Sequence, residues 1–257
     1  MTEGNLSDID EEDLYDREYD GEYDPERRFL LEKASLVGNK ALDIACGTGI
    51  VSDWLAENAV TITGIDLDEE SLAVAKKKKF ASACKYHLMD MRDFKINDSF
   101  PLAYLTGNAF MFLLNTMDQK RFFSCVYNHL EKDGLLIFDT RPPKQSLQER
   151  EESDFSLVKQ AQITNSLRTK VYYKTKYDAM NQLVKYDVKR DYYVDGKYEK
   201  TETGDVTLKL TFPVEMELLL SSCGFAIEDI YGTFDKDPID AEGDKMVYVC
   251  KKITNSS

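Results

Sequence analysis

A turn with two glycines follows an apolar run early in the chain, where residues 42–49 read LDIACGTG. Gly47 and Gly49 can adopt backbone conformations that other residues avoid, and they let a ligand approach the main chain closely. A helix that begins after such a turn presents unpaired N–H groups at its amino terminus. The pattern therefore predicts a small-molecule site built on peptide groups, with an ordinary strand-to-helix turn as the alternative.

A carboxylate ends the next apolar run, VTITGID, where Asp66 follows Gly49 by 17 residues. An acid at the tip of the second strand is the usual way for such folds to hold the paired hydroxyls of a ribose. The dinucleotide pattern G-x-G-x-x-G, however, requires glycine where this chain has Ser52. The residues therefore favour a single nucleoside without phosphates over a cofactor that carries a pyrophosphate.

These residues need a scaffold that brings the ends of separate strands together, and the pattern from Asn39 onward predicts one. Short apolar runs alternate with helical patterns, which is typical of a parallel sheet buried on both faces. The predicted fold class is therefore α/β. The runs are ALDIA, VTITGID, CKYHLMD, LAYLTG and LLIFD, then FAIEDIYG and KMVYVCKK, which are expected to pair antiparallel and to complete the main sheet.

The chain changes in character after Asp139, where three β segments are joined by turn signals. Consecutive hairpins cannot be parallel crossovers, so they predict a small antiparallel β insertion. The β segments are 171–178, 183–194 and 198–210. The predicted domains are an acidic amino-terminal tail or lid at 1–26, an α/β domain at 27–141 and 212–253, and the insertion at 142–211, which is expected to cover the acceptor site.

The composition argues against several classes of protein. The 257 residues carry a net charge of −14, of which residues 1–26 contribute −11. The remainder is near balance and offers no broad basic surface for a phosphate backbone, so nucleic acid is not an expected partner. No apolar run is long enough to cross a bilayer, and the acidic start is unlike a secretory signal, which favours a cytoplasmic protein. The five dispersed cysteines predict neither a disulfide framework nor a metal site.

Four motifs resemble those of class I S-adenosylmethionine-dependent methyltransferases, in order and at appropriate spacing across residues 19–140. They are ALDIACGTGI, GIDLDEESLAVAKKK, HLMDMRDF and HLEKDGLLIFDT. The resemblance implies a Rossmann-like, doubly wound sheet of seven strands, mostly parallel with an antiparallel terminal strand. It also implies S-adenosyl-L-methionine as the cofactor and S-adenosyl-L-homocysteine as its product. The implied contacts are Asp43 and the backbone of Ala45, Cys46, Gly47 and Gly49 at the methionine end, Asp66 at the ribose, and Leu67, Asp90 and the Met91 backbone at the adenine.

For Asp90 the alternative to an adenine contact is an acid that caps the turn after a strand.

The chain from residue 138 onward resembles, more loosely, the small-molecule N-methyltransferases typified by glycine N-methyltransferase. The resemblance lies in FDTR, in the helix that ends in CGF and in YGTFDKDP. That resemblance implies that Arg141 holds the carboxylate of an acceptor amino acid, which suits the planar fork of a guanidinium. An ordinary surface ion pair is the alternative. Gly107 and Asn108 lie where acceptor and cofactor meet in that family, with a simple loop turn as the alternative.

Three tyrosines recur at intervals of four, at Tyr15, Tyr19 and Tyr23. This spacing would align them along one face of a helix. Related enzymes use an amino-terminal segment as a lid, so Tyr23 or Tyr19 is expected to touch the cofactor. The alternative is a stripe that attaches the segment to the domain.

The sequence thus predicts a methyltransferase that acts on nitrogen or oxygen of a small molecule, with an amino acid or similar amine as the suggested acceptor. Transfer from a sulfonium requires alignment and exclusion of water rather than an obligatory acid–base pair, and no catalytic group is identified. The alternatives are an RNA or protein methyltransferase, a non-catalytic module that binds the cofactor, and an NAD-dependent oxidoreductase, which Ser52 disfavours. The protein is expected to act without a metal or a membrane, as a monomer or a homodimer.

Overall fold

The computed structural model describes residues 11–19, 21–148 and 153–253. The chain divides into a larger unit, Glu22–Lys144 with Leu210–Ser257, and a smaller unit, Met1–Gly21 with Gln145–Lys209. Residues 1–10 and 20 of the predicted acidic segment lie outside the described residues, as do 149–152 and 254–257.

Helices and strands alternate through most of the larger unit. The strands are β1 (Lys40–Ile44), β2 (Thr61–Asp66), β3 (Cys84–Leu88), β4 (Phe100–Leu105), β5 (Leu130–Thr140), β6 (Ser156–Gln162), β7 (Leu167–Asp178), β8 (Leu183–Val194), β9 (Lys197–Lys209), β10 (Phe225–Tyr231) and β11 (Met246–Lys252). The helices are α1 (Glu11–Glu18), α2 (Asp24–Val37), α3 (Ile50–Glu57), α4 (Glu69–Ala75), α5 (Thr116–His129), α6 (Gln145–Gln148) and α7 (Pro213–Ser222). Among the described residues, no helix combines the length and the apolar character that crossing a membrane requires.

Seven strands form the sheet of the larger unit, in the order β10-β11-β5-β4-β1-β2-β3. The strands from β5 to β3 in this order pair in parallel, whereas β11 pairs antiparallel with both β5 and β10. The predicted fold class, a Rossmann-like and mostly parallel sheet of seven strands with an antiparallel terminal strand, is confirmed. Because parallel strands end on the same side, the carboxyl ends of β1, β2, β4 and β5 share one edge of the sheet.

Helices cover both faces of this sheet, as a doubly wound fold requires. Leu30 of α2 packs on one face in a cluster with Ile137 of β5, and Phe123 of α5 packs on the other face against Phe138. All four side chains are buried. The two β5 residues are consecutive and point to opposite faces, which explains why the strand is apolar at every position from Leu135 to Phe138.

The smaller unit contains the predicted antiparallel insertion, as a four-stranded sheet in the order β6-β7-β8-β9. Asp195 and Gly196 join β8 to β9 with positive φ angles of 49° and 76°. A two-residue hairpin turn of this kind requires that conformation. The edge strand β6 was not predicted, because its residues are mostly exposed and show little alternation between apolar and polar side chains.

Helix α1 belongs to the smaller unit. Leu14 packs in a buried cluster with Leu167 of β7. The buried Glu18 carboxylate accepts hydrogen bonds from Thr169 Oγ1 at 2.9 Å and from Arg190 Nη2 at 2.8 Å. Residues 1–26 are predicted from the sequence as one segment, whereas the described residues 11–19 belong to the smaller unit and residues 22–26 belong to the larger one. The lid and cover functions of these segments stay predictions.

Candidate cofactor-binding site

The turn between β1 and α3 has the unusual backbone that its glycines suggest. Ala45, Gly47 and Gly49 all have positive φ angles, of 56°, 51° and 70°. Cys46 N donates a hydrogen bond to Ile65 O at 3.0 Å, which ties the turn to the neighbouring strand β2. A Cβ atom placed on Gly47 would meet no other atom within 4 Å, so this part of the turn faces open space. At Gly47 the turn therefore presents main chain that no side chain covers.

The Asp66 carboxylate links the tip of β2 to this turn. Its Oδ2 atom accepts a hydrogen bond from Gly47 N at 2.7 Å, and its Oδ1 atom accepts one from Asp68 N at 2.9 Å. A carboxylate offers roughly four acceptor positions, so about two remain for a ligand. Leu67 follows directly and is 63 % exposed. The predicted convergence of the glycine turn and this acid is present in the structure.

Asp43 lies beneath the turn and is buried. Its Oδ2 atom accepts a hydrogen bond from Ser52 Oγ at 2.6 Å. Burial raises the pKa of Asp43 to about 7, although the hydrogen bond from Ser52 acts in the opposite direction. Ser52 replaces the third glycine of the dinucleotide pattern, which disfavours NAD. In the structure its hydroxyl group holds the Asp43 carboxylate.

Tyr86 of β3 explains why glycine is needed at two further positions. A Cβ on Gly49 would lie 2.8 Å from Tyr86 Oη, and a Cβ on Gly64 would lie 2.7 Å from the Tyr86 ring. Either contact is shorter than side chains tolerate. Tyr86 was not predicted as part of the site, because its place in a strand motif gives no sign that it fills the space under the turn.

Asp90 follows β3 and is already engaged by Arg92. The carboxylate accepts hydrogen bonds from Arg92 N at 2.8 Å and from Arg92 Nε at 3.0 Å. The Arg92 side chain lowers the pKa of Asp90 below its ordinary value. This geometry is that of an acid that caps a turn, and a contact from Asp90 to an adenine stays a prediction. Met91 is partly buried against the core.

The tip of β4 forms a second turn on the same edge of the sheet. Gly107 and Asn108 have positive φ angles of 70° and 61°, and Asn108 N donates a hydrogen bond to Asp139 Oδ1 at 3.0 Å. Tyr23 Oη would be 3.1 Å from a Cβ on Gly107, so the start of α2 reaches this turn. The buried Asn108 Oδ1 atom has no hydrogen-bond partner within the described parts of the chain. A buried amide oxygen in this state is suited to receive a donor from a ligand.

The remaining residues singled out from the sequence, Arg141, Tyr15 and Tyr19, are not connected to the β1–α3 turn by any contact described above. Arg141 follows β5 and is half-buried. A hydrogen bond from Lys144 and, to a smaller extent, the charge of Arg141 lower the pKa of Asp244. The rings of Tyr15 and Tyr19 lie 4.5 Å apart, and Lys159 lies over Tyr19 at 3.4 Å. These two tyrosines therefore pack within the smaller unit, while Tyr23 belongs to the larger one.

A family model described as a methyltransferase domain matches residues 41–134, the segment that contains both turns, Asp66 and Asp90. Residues 41–134 of the chain therefore form a domain of the class I S-adenosylmethionine-dependent methyltransferases. The finer resemblance to glycine N-methyltransferase is not confirmed and stays a prediction.

This methyltransferase is similar to other proteins over most of its length. A protein of Geobacillus sp. (strain WCH70) that is named as a methyltransferase is 24% identical over 242 residues, 90% of this chain and 93% of that protein. The structure of an S-adenosylmethionine-dependent methyltransferase from Clostridium acetobutylicum ATCC 824 has a TM-score of 0.77 at 20% identity, over 94% of this chain and 97% of the other. The amino pentose methyltransferase of calicheamicin biosynthesis from Micromonospora echinaspora has a TM-score of 0.74 at 15% identity, over 98% and 100%. The structural similarities show a shared fold.

The packing of Tyr86 under the turn predicts different consequences for two glycines of the methyltransferase. Gly47→Ala is expected to destabilise the fold by about 1–2 kcal/mol, through the positive φ alone. Gly49→Ala should cost about 2–4 kcal/mol, because the added methyl group also collides with Tyr86 Oη. Urea unfolding measures both losses of stability. In a Tyr86→Phe background, the loss caused by Gly49→Ala should come closer to the loss caused by Gly47→Ala. Equal losses at the two glycines would contradict this packing.

The buried Asp43 predicts a specific pH dependence of stability. The unfolded chain loses this proton near the ordinary pKa of 3.8, while the folded chain keeps it until about 7. Between these values the folded state binds more protons, so the contribution of Asp43 to stability falls as pH rises and is constant above about 7. Relative to Asp43→Asn, the wild type should lose about 2–4 kcal/mol from pH 4.5 to pH 8 in urea unfolding without ligand. Parallel pH profiles of the two proteins would contradict the assignment.

Proposed function

We propose that this methyltransferase binds S-adenosylmethionine at the β1–α3 turn, transfers the methyl group to nitrogen or oxygen of a small molecule, and releases S-adenosylhomocysteine. The observation that carries the proposal is the hydrogen bond from Gly47 N to Asp66, beside a Gly47 Cα atom that faces open space. Nucleoside cofactors in α/β folds are held by such a combination of backbone groups and a carboxylate.

The nucleoside end of the cofactor is assigned to the tip of β2 and the turn after β3. Asp66 is suited to the ribose because Gly47 N and Asp68 N use about half of its acceptor positions. The exposed Leu67 side chain offers an apolar surface to the adenine. Asp90 and the Met91 backbone are assigned to the edge of the base, with Arg92 holding the Asp90 carboxylate ionised and oriented.

The methionine end is assigned to the turn itself, from Ala45 and Cys46 to Gly47 and Gly49, with Asp43 below it. Burial raises the pKa of Asp43 to about 7 in the free protein. A cationic ammonium group nearby would favour the ionised carboxylate and so lower this pKa. Asp43 is therefore suited to stabilise the positive amino group of the cofactor.

The chemistry needs little from the protein besides alignment and exclusion of water. S-adenosylmethionine supplies a methyl group that is already activated on its sulfonium sulfur. The residues of this chain must therefore direct an acceptor lone pair at that carbon. Tyr23, Gly107 and Asn108 are assigned to this region, because they meet at the edge of the sheet next to the β1 turn.

A small molecule with an amine or hydroxyl group is the proposed acceptor. The Asn108 oxygen, which has no hydrogen-bond partner among the described residues, is suited to accept a hydrogen bond from such a group. Arg141, at the end of β5, is suited to a carboxylate on the same molecule. Among the similar structures, the Micromonospora enzyme is an amino pentose methyltransferase, which supports an acceptor of this size.

A labelled-methyl assay tests this function directly. The pure protein would be incubated with cofactor labelled in the methyl group and with fractionated metabolites, total RNA or denatured protein in separate reactions. Label in a small molecule, identified by mass spectrometry, is the expected result. Label in RNA or protein would assign a macromolecular substrate instead, and cofactor binding with no transfer to any pool would indicate a non-catalytic binding module.

Replacing Asp66 should weaken cofactor binding while the fold remains. Asp66→Asn removes the charge but keeps the size of the side chain, and the loss of a charged hydrogen bond to the ribose is expected to raise the dissociation constant by about 10–100-fold. Isothermal titration calorimetry with S-adenosylmethionine measures the change, and thermal unfolding checks the fold.

Asp68→Ala is the matched control for this experiment. Asp68 caps α4 through its side chain, which accepts a hydrogen bond from Glu70 N at 3.1 Å, while its backbone N–H still reaches Asp66. The control should bind within about twofold of the wild type. An Asp66→Asn protein that binds as well as this control would remove the ribose assignment.

A further inference from the structure

Three buried or partly buried charges meet near the Gly107-Asn108 turn, outside the residues assigned so far. Lys245 Nζ donates to Glu26 Oε1 at 2.7 Å and to Asp139 Oδ2 at 3.1 Å. The side chains of Glu26 and Asp139 are 3 % and 0 % exposed. Burial raises the pKa of Glu26, and the charges of Asp139 and Glu26 raise the pKa of Lys245 even though burial alone would lower it. Lys245 is thus charged and held between two acids.

Each acid connects Lys245 to a different part of the predicted site. Glu26 lies in the first turn of α2, three residues after Tyr23, whose Oη atom lies 3.1 Å from the position of a Cβ on Gly107. Asp139 uses its other oxygen to hold Asn108 N at 3.0 Å. Lys245 therefore fixes both the helix that carries Tyr23 and the turn that Tyr23 covers.

Stability alone is a poor explanation for this arrangement. A buried ion pair often contributes less to stability than apolar side chains of the same volume, because removing charges from water is costly. Lys245 Nζ also lies 5.4 Å from the centroid of the Phe234 ring, which belongs to the apolar cluster of α2 and β11. Buried charges of this kind are well suited, however, to selecting one relative position of the elements they join.

We propose that Lys245 is a positioning residue for methyl transfer, because it holds Tyr23 and the Gly107-Asn108 turn in register at the cofactor and acceptor end of the site. The inference rests on the function proposed above. It assigns no chemical step to Lys245, which acts through Glu26 and Asp139.

The test is a double-mutant cycle on the binding of S-adenosylhomocysteine, measured by calorimetry. Lys245→Met is expected to weaken binding about tenfold, and Lys245→Arg, which keeps the charge, should recover most of the affinity. If Lys245 acts by positioning Tyr23, the effect of Lys245→Met should shrink to about twofold or less in a Tyr23→Phe background. A purely structural role would instead give the same loss in both backgrounds, and that result would overturn the proposal.

Lys236→Met is the matched control. Lys236 lies in the same β10–β11 loop and also pairs with an acid of α2, Glu32, at 2.7 Å, but both side chains of this pair are exposed. Its removal should change binding by no more than about twofold, since exposed pairs contribute little. Equal effects of Lys236→Met and Lys245→Met would also overturn the proposal.

A less disruptive variant keeps the test decisive if Lys245→Met does not fold. Glu26→Gln retains an oxygen that accepts from Lys245 and retains the Lys245–Asp139 pair. It should weaken binding by about threefold, again with a smaller effect in the Tyr23→Phe background. No change in either background would overturn the inference. A wild-type protein that binds neither S-adenosylmethionine nor S-adenosylhomocysteine would refute the proposed function itself, which is a different result from a loss limited to these variants.

Discussion

The hydrogen bond between Gly47 N and the Asp66 carboxylate joins the ends of two parallel strands at the position on which the whole site depends. It requires the positive φ of Gly47 in the turn after β1 and an acid at the last residue of β2. The apolar faces of the sheet hold these two strand ends side by side.

Acids recur at the strand ends along this edge of the sheet, and each carboxylate has a different kind of hydrogen-bond or ion-pair partner. Burial raises the pKa of Asp43 to about 7, and the hydrogen bond from the neutral Ser52 hydroxyl offsets this only in part. Asp90 is paired with Arg92, which keeps it ionised. Asp139 shares Lys245 with Glu26. Negative charge is thus concentrated where a cationic cofactor is proposed to bind, while charged or hydroxyl partners limit the destabilisation that burial causes.

The sequence predicts those features that depend on short-range patterns. The alternation of apolar runs and helices predicts the α/β class. Gly47, Gly49 and Asp66 predict where the candidate cofactor-binding site lies, because adjacent parallel strands end on the same side of the sheet. The Asp-Gly pair at 195–196 similarly gives a hairpin. Each of these predictions uses residues whose spacing is set by a single strand, turn or βαβ unit.

Features that depend on distant contacts were not predictable in this way. Lys245 and Glu26 are 219 residues apart in the chain. Neither lies in a sequence motif that would indicate a buried ion pair. The packing of Tyr86 against Gly49 and the association of α1 with the smaller unit depend on side-chain geometry that composition does not encode.

The account depends most directly on whether a ligand reaches the peptide groups of the β1–α3 turn. Titration of S-adenosylmethionine into isotope-labelled protein, followed by the amide resonances of Gly47, Cys46 and Asp68, measures this without knowledge of the acceptor. We expect these resonances to shift together along one saturable binding curve. Amide resonances that stay in place at saturating ligand, or shifts confined to the smaller unit, would contradict the account.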